Sequence, residues 1–119
     1  MPILDIEIVS DRQERILGQI TQALADELGA AFGAAAGKLW VKVRTLPREQ
    51  YAENGGSAPM PVFVTVTASA PPTGEVLRTR IDQVTDAVAR ITRRPRENIH
   101  VEFLPAARGR IAFGGKLVE

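Results

Sequence analysis

The second residue offers the clearest chemistry in this sequence. Met1 is followed by Pro2, and an initiator methionine is normally trimmed before a residue as small as proline. Trimming leaves a secondary amine in a rigid ring. An amine is a general base only when unprotonated, so burial against apolar side chains and nearby cations must lower its proton affinity. A base tuned close to ambient pH then carries a proton between the carbon and oxygen of an enol. Basic residues can converge locally on a small anion even where the overall charge is balanced. A guanidinium grips a carboxylate through two parallel hydrogen bonds. Taken alone, Pro2 is better accounted for as the opening of an edge strand, where proline is tolerated; the catalytic reading needs the rest of the chain.

Other chemistries are poorly supplied. There is no cysteine and one histidine, His100, so thiolate catalysis is excluded and a protein-built metal site is not expected. No metal and no cofactor are expected. The chain has 15 Lys plus Arg against 14 Asp plus Glu, which gives no long-range field to gather nucleic acid or anionic lipid. Six aromatic residues (four Phe, one Trp, one Tyr) are too few for base-stacking platforms. No apolar run approaches membrane-spanning length, and the opening segment has no basic region followed by an apolar stretch. A cytoplasmic protein is expected, with no nucleic-acid partner and no membrane.

The elements that must position Pro2 are legible from periodicity. Leu4, Ile6 and Ile8 alternate with Asp5 and Glu7, a half-buried strand. Ser10 and Gln13 form a capping box before a helix whose face is Ile16, Ile20, Leu24 and Leu28. Leu39, Val41 and Val43 mark a second strand, and Leu46 to Pro59 is irregular. Val62, Val64 and Val66 mark a third strand. After Pro71-Pro72-Thr73-Gly74, a second helix presents Leu77, Ile81, Val84, Val88 and Ile91 and is stopped by Pro95. Ile99, Val101 and Phe103 mark a fourth strand, followed by a tail holding Gly114-Gly115.

The halves repeat one another. Val41-Lys42-Val43-Arg44-Thr45-Leu46-Pro47 lies against Ile99-His100-Val101-Glu102-Phe103-Leu104-Pro105, and Met1-Pro2-Ile3 against Met60-Pro61-Val62. Fixed order with local identity points to duplication within one domain, residues 1–119, with pseudo-repeats 2–56 and 61–115. Pro61 is expected as the counterpart of Pro2 with its nitrogen locked in a peptide bond. Two β-α-β units share a four-stranded mixed sheet with both helices on one face, the α+β class, with right-handed parallel crossovers. The other face is expected to be partly apolar and covered by a partner subunit.

Met-Pro at the start, β-α-β twice and Gly-Gly after each second strand resemble the tautomerase superfamily. Each half is similar to one subunit of 4-oxalocrotonate tautomerase. The whole resembles fused relatives and, in layout, macrophage migration inhibitory factor and 5-carboxymethyl-2-hydroxymuconate isomerase. The tail Arg108-Gly109-Arg110-Ile111-Ala112-Phe113-Gly114-Gly115-Lys116-Leu117 carries the resemblance furthest. It implies a homotrimer with active sites near the N-terminal prolines, at subunit or half-domain boundaries. It also implies a cofactor-free keto-enol tautomerase acting on a small 2-oxo or enol acid.

Roles follow residue by residue from the resemblance. Pro2 is the base and Arg12 holds a carboxylate. The family's second-strand arginine falls at Lys42 and, in the second half, at His100, with Arg44 and Lys38 as nearby substitutes. Lys38 resembles a lysine of the migration-inhibitory-factor branch. Tyr51 and Phe113 stand near the aromatic that covers substrate, and Arg108 and Arg110 flank the second tail. Trp40 is expected to pack. The same superfamily also offers a dehalogenase, hydratase or decarboxylase with protonated Pro2 as acid. From another class, the sheet and helices fit a non-catalytic ligand- or RNA-binding module.

Overall fold

The computed structural model describes residues 1–11, 17–56 and 59–119. Alternating apolar residues produce β1 (Ile3–Ser10), and Leu24 and Leu28 anchor α1 (Leu17–Ala31). The capping box at Ser10–Gln13 and the helix-face residue Ile16 fall partly or wholly outside the described residues. β2 (Trp40–Pro47) follows, then a 3-10 turn at Arg48–Gln50 within the irregular stretch. β3 (Val62–Thr67) leads to α2 (Gly74–Thr92), and β4 (Ile99–Phe103) completes the second unit. α2 ends before Pro95, with Arg93 at φ 58° closing its last turn in the left-handed region. Two short strands, β5 (Ala112–Phe113) and β6 (Lys116–Leu117), pair across Gly114 and Gly115, both at positive φ as the turn requires.

The four long strands form one mixed sheet in the order β2-β1-β3-β4. Within each unit the strands run parallel, and the two units meet through antiparallel β1 and β3. The α+β sandwich of sheet and two helices is thus the expected one. Its core is Leu4, Ile6, Ile8, Val62, Val64 and Val66 from the sheet against Leu24, Leu28, Val84 and Val88 from the helices. Most of these are wholly buried, each contributing roughly 1.5–3 kcal/mol over an exposed position. Arg90 and Glu27 tie α2 to α1 through a paired salt bridge.

The far face of the sheet is more polar than expected. Lys42 Nζ lies 3.1 Å from Asp5 Oδ1 and Arg44 Nε 3.1 Å from Glu7 Oε2. Phe63 touches His100 on the same face, ring centroids 5.5 Å apart. Apolar area there is confined to a few side chains such as Trp40 and Phe63. Asp5 and Glu7 offset Lys42 and Arg44 there, so these pairs carry no net positive charge to draw a phosphate backbone.

Strand register is common to the two units. Leu4 pairs with Val41 and Val62 with Ile99, so both units share a step of 37 (41 − 4 and 99 − 62).

Candidate functional site

Pro2 stands immediately before β1, an interior strand flanked by β2 and β3. The edge-strand account of this proline does not hold. Its carbonyl accepts a hydrogen bond from the Trp40 backbone N–H at 3.0 Å, and the residue is half-buried. On the other side, Ile3 pairs with Thr67 at the end of β3.

The tail reaches this end of the sheet by a path that its hydrogen bonds record. Leaving β4, the Leu104 N–H donates to Val66 O, Ala107 N–H to Ala68 O and Arg108 N–H to Ser69 O, at 2.9, 3.0 and 3.2 Å. The chain then turns through Gly109 at φ 81°. The β5-β6 hairpin sets the Phe113 ring against Trp40, centroids 5.0 Å apart and 73° between planes. Such edge-to-face pairs are favourable beyond the area they bury. From β3 to β2, the tail spans the end of the sheet where Pro2 lies between them.

Cations at this end are unneutralised. Lys38, two residues before Trp40, is exposed, its backbone N–H bonded to Ala35 O. Among the described residues, neither Lys38, Arg108 nor Arg110 has a carboxylate within ion-pair distance. A local excess of positive charge favours a bound carboxylate and disfavours protonation of a neighbouring amine.

The remaining sequence-derived residues lie elsewhere in the chain. Lys42 and Arg44 are held by Asp5 and Glu7 on the open face. Tyr51 and His100 flank Phe63 on that face, the Tyr51 ring 5.9 Å from Phe63. Because Phe63 pairs with Glu7, this cluster sits toward the far end of β1. The Tyr51 hydroxyl donates to Glu53, and that bond, then burial, holds the phenol above its ordinary pKa. Arg12 lies outside the described residues. Ser10 ends β1 roughly 26 Å from Pro2 at about 3.3 Å per residue.

Trp40 packs, as expected from the sequence, and its partner is Phe113 at the Pro2 end of the sheet. It remains 39% exposed, its indole N–H bonded to Gly37 O at 3.1 Å. The usable signal for this location was its place at the head of the strand that pairs with the start of β1. Among the described residues, no cluster of three or more metal-ligating side chains occurs, and no helix is long and apolar enough to cross a membrane.

No protein-family model matches the sequence, and no curated protein matches it by sequence. Solved structures do match its fold. Native fused 4-OT superposes with a TM-score of 0.81 at 17% identity, covering 97% of this chain and 94% of that one. A macrophage migration inhibitory factor-like protein from Entamoeba histolytica gives 0.73 at 15% identity, over 98% and 97%. A malonate semialdehyde decarboxylase inhibited by 3-bromopropiolate gives 0.72 at 19% identity, over 94% and 88%. Strand order, the two β-α-β units and the tail hairpin together give this chain the tautomerase-superfamily fold, in the fused arrangement.

Proposed function

We propose that the chain is a cofactor-free keto-enol tautomerase of small 2-oxo or enol acids, with the Pro2 amine, freed by removal of Met1, as general base. The observation that carries this reading is the convergence of Pro2, the Trp40–Phe113 pair and the unpaired Lys38, Arg108 and Arg110 at one end of the sheet. The aromatic rings shield the amine from water and, with the cations, keep it unprotonated near neutral pH. The nitrogen takes a proton from the carbon beside the keto group, and that C–H electron pair becomes the enolate double bond. Lys38 or a tail guanidinium holds the carboxylate and stabilises the enolate oxygen. The Pro2 ammonium then returns its proton to that oxygen, and the enol leaves with no net gain or loss of electrons. Self-association as a homotrimer fits this reading, since a fused 4-OT of the same fold forms a symmetric trimer. The protein acts in the cytoplasm on this reading.

Enolisation of phenylpyruvate by wild type, Pro2→Ala and a form carrying extra residues before Pro2 tests the base. A fall of about 100-fold or more in both variants is expected, within the usual range for general-base catalysis. Full activity in either rejects the amine.

A second reading is favoured by the Tyr51–Glu53 contact. There protonated Pro2 donates a proton, and a carboxylate supplied by a neighbouring subunit activates water. Halide release from a 3-haloacrylate that depends on both Pro2 and Glu53 distinguishes it from simple tautomerisation.

A further inference from the structure

The arginines sort themselves unevenly. Among the described residues, Arg44, Arg48, Arg78, Arg90 and Arg96 each face a carboxylate, and Arg80 lies over the Phe32 ring. Those without a carboxylate partner form two pairs. Arg108 and Arg110 belong to the Pro2 end of β1. Arg93 and Arg94 belong to the other end, where Arg94 bridges Val9 at the end of β1 and Met60 ahead of β3.

That second end has a cavity of about 570 Å3, lined in part by Ser10, Asp11, Met60, Thr92, Arg93 and Arg94. Arg94 is half-buried, and one terminal nitrogen, Nη1, donates to Val9 O and Met60 O, both at 2.9 Å. Among the described residues, its Nε and Nη2 have no hydrogen-bond partner. Among the described residues no side-chain nitrogen is left both buried and unsatisfied, so these donors reach accessible space. Burial holds the Arg94 guanidinium below its ordinary pKa, with Asp11 acting weakly against that, so a closer anion would be welcome. Among the described lining residues the one carboxylate is Asp11, which Arg48 meets at 3.9 Å, and the cations are Arg93 and Arg94.

Arg93 adds an independent hint. It holds φ at 58°, a conformation that a glycine adopts without cost and an arginine does not. The chain keeps a cation where the backbone alone favours glycine. A cation at a helix C-terminus gains from the helix dipole, but α2 already has Arg90 in its last turn.

We propose that the Met60 end is a second, non-catalytic binding site for the carboxylate of a small oxo acid, held by Arg93 and Arg94. Met60 offers no amine, so the acid is bound there and not turned over. The inference does not require Pro2 to be the base of the other site, since it rests on the two unpaired guanidiniums and the cavity.

Titrating the intact isotope-labelled protein with pyruvate, followed by amide resonances, tests it. Two separable sets of shifts are expected, one at Trp40 and Arg108 and one at Thr92, Arg93 and Arg94. Arg93→Gly relaxes the backbone and so keeps the fold; it should weaken the second set at least fivefold and leave enolisation unchanged. Arg94→Lys, which keeps the charge but loses the planar fork, should weaken the second set alone. Shifts confined to the Pro2 end, or an Arg93→Gly affinity equal to wild type, would overturn the proposal. Inorganic phosphate binding there more tightly than pyruvate would overturn the carboxylate assignment in favour of a phosphoryl ligand.

Discussion

Lys38 and Lys42 are four residues apart, and their sequence surroundings alone do not rank them. Cross-strand pairing does. Asp5 lies opposite Lys42 in the parallel β1-β2 ladder and takes its ammonium at 3.1 Å, whereas no carboxylate among the described residues claims Lys38. A charge already paired on an exposed surface contributes little to a new partner, while a free cation meeting a carboxylate gains a charge-assisted bond. Lys38→Ala is therefore expected to raise KM for a 2-oxo acid about tenfold with a smaller change in kcat. Lys42→Ala should leave KM within about threefold, in line with the weak net value of exposed pairs. Steady-state kinetics on the two variants checks the ranking; a reversed order would move the carboxylate to the open face.

At the scale of elements, the helices are fastened to one another as well as to the sheet. Arg90 of α2 donates to both carboxylate oxygens of Glu27 in α1, and that hydrogen bond is the main reason the Glu27 pKa falls below its ordinary value. A depressed carboxylate pKa stabilises the fold above its unfolded-state value, and the gain is lost as pH falls through the folded one. Arg90→Met should accordingly lower the melting temperature at neutral pH, and its difference from wild type should vanish well below pH 4.5, the ordinary glutamate value. A difference that persists in acid would assign the effect to packing. The strands and helices were readable because alternation and four-residue spacing report burial directly, as at Leu4, Ile6, Leu24 and Val88. Register was less readable. The common step of 37 between paired strands is visible only once the ladders are formed, because loops of different length separate the strands in the two halves. The partner of Trp40 was hidden for a related reason: its contact with Phe113, 73 positions later in the chain, is set by the path of the tail across the sheet end.

For the molecule as a whole, β2 and β4 remain edges of the sheet, and its polar face is open in the single chain. Exposed edges invite pairing with another copy, and a symmetric ring closes them without leaving a template for further growth. Three copies of 12.9 kDa make 38.7 kDa, and light scattering on the eluting protein should return that mass; a monomer mass would leave the proposed trimer without support. Oligomerisation also bears on Pro2 itself, because a neighbour covering that end of the sheet would remove water from the amine. The most direct test is nuclear magnetic resonance of the isotope-labelled Pro2 nitrogen in the methionine-free protein as pH is varied. The account predicts a midpoint below the ordinary α-amino range of about 7.7–8.0, coinciding with the acidic limb of kcat/KM. A midpoint at or above that range, with turnover indifferent to it, would contradict the assignment of Pro2 as the base.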